Sequence, residues 1–76
     1  MKNNFDVRLG QALRKARKRK KLRQPYIAEL MNVSKMTISH WETGKRSMTA
    51  ENLSRYCKIL GVTVQQIFDE MEDGDE

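Results

Sequence analysis

The sequence is short of several things at once, and each shortage excludes something. It has one cysteine, so no disulfide can form within the chain, and a lone thiol suits a reducing cytosol. It has one histidine, His40, and no Cys or Asp cluster at ligand spacing around it. A structural zinc needs about four ligands, so no metal is expected, and no motif calls for another cofactor. With no nucleophile beside a base and no Gly-rich phosphate loop, an enzyme is not expected either. No apolar run approaches ~18 residues, the length of a membrane span. The opening MKNNFDVRLG lacks the apolar centre of a secretory leader. There is no strand-like alternation, no internal repeat and no composition break that would mark a second domain.

What the sequence does have is charge. The 76 residues carry a net +5, unevenly spread. Residues 1–68 hold all 15 Lys and Arg against Asp6, Glu29, Glu42 and Glu51, a net +11; residues 69–76 hold six acids, a net −6. The densest stretch, RKARKRKKLR from Arg14 to Arg23, is basic at eight of ten positions. So basic a body suggests a polyanionic partner, most simply nucleic acid. A chain this small buries only ~60% of the surface it exposes when unfolded, which favours helices packed over short connections.

Apolar spacing places five short helices. Asp6 is an expected N-cap for the first, which runs to about Lys20 with Leu9, Ala12, Leu13 and Ala16 on one face. The second spans about Gln24 to Met31, with Pro25 in its first turn, where a missing N–H costs nothing. Asn32 suits the turn, Ser34 caps the third helix and Gly44 stops it. Thr49 caps the fourth, Ala50 to Leu60, and Gly61 ends it. Thr63 and Gln66 form a capping box for the fifth, from Val64 to about Met71. The expected architecture is all-α: a five-helix domain over residues 6–71, with loose residues 1–5 before it and a disordered acidic tail, 72–76, after it.

The third helix is divided. On a helical wheel Ile38, Trp41 and Glu42 share the side that faces a core, while Met36, Ser39, His40 and Thr43 share the other. Ser, His and Thr, with Lys35 near the helix start, can donate to or accept from base edges. Glu42 on the inner side needs a partner, because an unpaired buried carboxylate is costly. Arg17 extends the inner stripe of the first helix beyond Leu13, so Arg17 and Glu42 are the expected buried ion pair.

Helices two and three, QPYIAELM-NVS-KMTISHWET, make a helix-turn-helix, and here the chain resembles the lambda-repressor/Cro-like, or XRE, family. The resemblance covers about Leu9 to Phe68. It rests on Arg17; Gln24, Ile27 and Ala28; Val33 and Ser34; Ile38 and Ser39; Glu42 and Gly44; and Leu60, Gly61 and Val62, in order and at the family's spacing. The chain departs from the pattern at Arg23, where a small N-cap is usual, at Asn32, where the turn has Gly, and at Tyr26.

The resemblance implies a five-helix DNA-binding domain whose third helix enters the major groove. Carried over by position, Lys35, Met36, Ser39 and His40 are the base-reading candidates. Arg23, Gln24, Thr37, Thr43, Lys45 and Arg46 are the phosphate-contact candidates. One such helix reads few base pairs, so a dimer on a near-palindromic operator in double-stranded DNA is expected. Val64, Ile67, Phe68 and Met71 of the fifth helix offer a dimer surface; the competing reading is that they only complete the monomer core. The implied function is transcriptional regulation, chiefly repression, in the cytoplasm, with no membrane or small-molecule partner. A phage regulator, a restriction-system controller and an antitoxin-like autorepressor all remain open. So does a protein-interaction module of the same fold that reads little DNA.

Overall fold

In the computed structural model residues 4–73 are described, and they form α1 (Asn4–Arg19), α2 (Gln24–Met31), α3 (Lys35–Thr43), α4 (Ala50–Leu60) and α5 (Val64–Asp73). Among the described residues there is no strand, and no helix is long and apolar enough to cross a membrane. The all-α reading therefore holds.

Local chemistry sets most of the boundaries. Ser34 Oγ accepts from the Thr37 N–H at 3.1 Å and Thr49 Oγ1 from the Asn52 N–H at 3.1 Å, so α3 and α4 each begin on a hydroxyl cap. Thr63 and Gln66 cap each other's backbone N–H, at 2.7 and 3.0 Å, and open α5. Asn32, Gly44 and Gly61 each take the left-handed conformation that ends a helix, with φ of 58°, 79° and 75°. α2 begins on Arg23, whose backbone is extended and whose side chain makes no cap.

Two ends of α1 differ from the sequence expectation. The helix starts at Asn4, not after Asp6, because Phe5 stacks edge-to-face on Phe68 of α5 with ring centroids 6.3 Å apart. Asp6 thus lies in the first turn, where an acid suits the helix dipole, and its carboxylate accepts from the Ser47 hydroxyl. At the other end α1 stops at Arg19, and Lys21 takes the left-handed position with φ 59°. The Leu22 N–H returns to the Arg17 carbonyl at 3.2 Å and the Lys21 N–H to Lys18 at 2.9 Å. This is a Schellman stop with lysine where glycine would fit without steric cost. Of the segments expected to be loose, 1–5 and 72–76, residues 4 and 5 belong to α1 and residues 72 and 73 to α5; the rest lies outside the described residues.

The core is one cluster drawn from all five helices. Leu13, Ile27, Ile38, Tyr56 and Ile67 are fully buried at its centre, with Leu9, Ala16, Met31, Trp41, Leu53, Leu60 and Met71 around them. Each of the Leu, Ile and Met side chains contributes about 1.5–3 kcal/mol through burial. Cys57 belongs to the same cluster, and burial pushes its thiol up to about 11, so it is a protonated core residue at neutral pH. Gly10 brings α1 against α3: a Cβ there would stand 2.4 Å from the Trp41 carbonyl oxygen and 2.6 Å from that of Glu42. The consequence is a rigid base on which α3 lies at the surface.

Candidate nucleic-acid interface

α3 presents its two sides as differently as its sequence implies. Ile38, Trp41 and Glu42 are buried, while Met36 is 66% exposed, an unusual position for so apolar a side chain. Lys35 is exposed too, and Ser39 and His40 are half-buried beside it. Ser34, Met36, Thr37, His40, Lys45 and Arg46 line one open groove of about 620 Å³. The fold thus brings together two base-reading candidates, Met36 and His40, with three phosphate-contact candidates, Thr37, Lys45 and Arg46. Thr37 is half-buried and its hydroxyl lies 3.0 Å from Ser34 Oγ, while the exposed Thr43 hydroxyl donates to the Ser39 carbonyl at 2.9 Å. A phosphate oxygen only accepts, so Thr43 can reach one only by turning its O–H away from the Ser39 carbonyl, whereas Thr37 can donate outward when Ser34 is the donor of the pair.

Behind α3 lies a closed polar network centred on Glu42, which is only 2% exposed. Arg17 Nε donates to Glu42 Oε2 at 2.7 Å and Arg17 Nη2 to Oε1 at 3.0 Å, a two-pronged contact between α1 and α3. Arg17 Nη1 donates further to the Leu22 carbonyl at 2.8 Å. Gln24 Nε2 donates to Glu42 Oε1 at 3.0 Å, and the Tyr56 hydroxyl donates to Oε2. Burial is the largest influence on Glu42 and pushes its carboxyl up. The hydrogen bonds from Arg17, Tyr56 and Gln24, with the Arg17 charge, outweigh it and hold the carboxyl below its ordinary value. The Glu42 bond holds the Arg17 guanidinium above its own usual value, against the effect of burial. Burial first, then the bond to Glu42, drives the Tyr56 hydroxyl far upward, so it remains a donor at any working pH.

Gln24, expected at a phosphate, thus has one amide N–H committed inward; the second N–H remains for an outward contact. Arg23 is exposed just before it. Neither lines the α3 groove, but Gln24 is tied to α3 through Glu42. The Tyr56 contact was not anticipated from the sequence, although a buried phenol always needs a partner and Glu42 was the inward carboxylate in want of donors.

The expected dimer surface requires correction. Ile67 and Met71, at 0% and 7% exposure, pack into the protomer's own core, because α5 closes the bundle against α1. Val64 and Phe68 are half-buried, and Phe5, 48% exposed, joins Phe68. Among the described residues, no group of His, Cys, Asp and Glu could hold a metal ion.

Known proteins share this fold. Residues 13–67 match the family model for the helix-turn-helix family HTH_3. Control protein C.MunI from a Mycoplasma species is 32% identical over 71 residues, 92% of this chain and 96% of that protein. Among solved structures, the clp gene regulator ClgR from C. glutamicum superposes with a TM-score of 0.91 at 28% identity, over 97% of this chain and 96% of its own. The restriction-modification controller protein C.AhdI from Aeromonas hydrophila gives 0.80 at 25% identity, over 86% of this chain and 98% of its own. With a matched segment that spans most of the chain and a buried Arg–Glu pair behind an exposed third helix, the chain belongs to the XRE-type, Cro-like helix-turn-helix family of DNA-binding transcriptional regulators.

Proposed function

We propose that the chain is a small control protein of the kind that governs a restriction-modification system, that it acts in the cytoplasm, and that it represses by covering a promoter. It binds a near-palindromic operator as a dimer, with α3 of each protomer in the major groove of one half-site. The observation that carries this reading is the division of α3: one side is locked into the bundle through Ile38, Trp41 and Glu42, and the other sets Lys35, Met36, Ser39 and His40 outward. Lys35 has the reach for guanine O6 or N7, and Met36 suits a thymine methyl. Arg23, Gln24, Thr37, Thr43, Lys45 and Arg46 supply the backbone contacts that fix register. The choice of controller among small regulators follows the likeness to C.MunI, which extends over nearly the whole of both chains.

Selection of bound duplexes from a random DNA pool tests the proposal. The expected product is a palindromic consensus with half-sites about one helical turn apart. Lys35→Ala and Met36→Ala then change the consensus, whereas Lys45→Gln weakens all sites alike. A pool that shows no enrichment, with no loss of DNA affinity as salt rises, would favour the protein-interaction module instead.

A further inference from the structure

α1 carries more positive charge than α3 needs, and the fold sorts that charge onto two rims. On one rim Arg8, Lys15 and Arg19 border a groove shared with α5, where Arg19 pairs with Glu70 and Arg8 Nη2 donates to the Met71 carbonyl at 3.2 Å. The other rim follows the stripe of Gly10 and Arg17, two residues that hold α1 against α3. Arg14 and Lys18 stand exposed one step outward from that stripe, and Lys21 and Arg23 continue the line to the start of α2.

Lys21 is the residue that needs an explanation. Of the four helix stops with positive φ among the described residues, Gly44 and Gly61 are glycines and Asn32 is the next best choice, but Lys21 holds φ 59° with a full side chain. A left-handed lysine is a local cost that glycine would relieve. The turn that bears it is also fixed in place. Arg17 holds Glu42 of α3 with one part of its guanidinium and the Leu22 carbonyl with another, at 2.8 Å. Lys21 is therefore presented at a set position relative to α3, one turn away from Gln24.

We propose that Lys21 is a phosphate-contact residue, and that with Arg14 and Lys18 it extends the DNA-backbone grip beyond α3 and the start of α2. The partner is the sugar-phosphate backbone flanking the half-site. This rests on the DNA-binding reading above. The fold keeps an ill-suited residue at the helix stop because the stop faces a polyanion; on the other rim the charges face α5 and its Glu70.

The test compares Lys21→Gly, Lys21→Gln and the opposite-rim control Lys15→Gln in the full chain, with a mixed-sequence duplex of about 30 base pairs as probe. Affinity is titrated from about 50 to 200 mM salt, and thermal melting is followed without DNA. Lys21→Gln makes the slope of log affinity against log salt shallower by about 0.9 and weakens low-salt binding about 3- to 10-fold, equally for all sequences. Lys21→Gly does the same while the melting temperature rises by about 2–5 °C, a divergence that a purely structural role does not produce. Lys15→Gln leaves the slope unchanged. An unchanged slope in Lys21→Gln, or an equal change in Lys15→Gln, overturns the assignment. A wild-type chain that binds the duplex with no salt dependence overturns the DNA reading itself, and this inference with it.

Discussion

Glu42 accepts hydrogen bonds from side chains of three other helices, through Arg17, Gln24 and Tyr56, so its ionisation bears on the whole bundle. The direction of that dependence follows from its lowered pKa. As pH falls, the unfolded chain takes up the proton at the ordinary carboxylate value, while the folded chain still excludes it. Between the two values the unfolded chain binds more protons, so stability falls with pH across that window. The contribution is fully present above the ordinary value and gone below the native one. Urea unfolding from about pH 6 to pH 3 should therefore show a steeper loss in wild type than in Glu42→Gln. That variant is expected to be weaker by about 3–5 kcal/mol at neutral pH, since it leaves Arg17 buried without its counter-charge. Tyr56→Phe provides a milder check: one fewer donor raises the native carboxyl value, so the acid weakening still begins at the ordinary carboxylate value but ends at a higher pH and is smaller in total. Equal pH slopes in wild type and Glu42→Gln would assign the acid sensitivity to other carboxylates.

At the scale of elements, what could be read in advance depended on how local its cause was. Ser34, Thr49 and the Thr63–Gln66 box act on neighbours three residues away, and Gly44 and Gly61 on their own backbone, so sequence spacing alone places these ends. The start of α1 was misread because Phe68, sixty-odd positions along, decides it. Lys21 was missed as a stop because nothing in its chemistry favours left-handed backbone. The apolar stripe of α5 announced a buried side but not its partner; Ile67 and Met71 turn inward, and only Val64 and Phe68 remain near the surface. The close approach of α1 to α3 was equally hidden, since a glycine within a helix shows no contact distance. Its structural context yields a sharp expectation. Gly10→Ala drives a methyl group into two backbone carbonyl oxygens that cannot rotate away, and α1 must lift from α3. The loss should reach about 3 kcal/mol, the upper end for overpacking. Gly61→Ala meets nothing within 4 Å and bears only the left-handed backbone cost of about 1–2 kcal/mol. Chemical denaturation of the two variants side by side measures the difference. Equal losses would mean that α1 and α3 can separate without consequence.

For the whole molecule, dimension bears on how two copies would share the proposed operator. The protomer measures 33 × 28 × 21 Å, and successive major grooves on one face of DNA recur about every 34 Å. Two protomers side by side along the duplex therefore match the spacing without a linker, provided that they touch through the flank that carries α5. That flank holds Phe5, exposed at 48%, with Phe68 and Val64 partly exposed near it, an apolar area that the proposed dimer would cover. Phe5→Glu places a charge there while the core cluster is left intact. Sedimentation at micromolar concentration should then give a lower average mass than for wild type. Affinity for a complete palindrome should fall by about 10²-fold, because the second half-site no longer adds effective concentration, while a single half-site is bound as before. Phe68→Ala should repeat the pattern with some loss of stability, since that ring also packs against the core. If both variants keep wild-type mass and wild-type affinity for the palindrome, the protomers meet through a different face. The spacing argument would then require α3 to approach the groove at another angle.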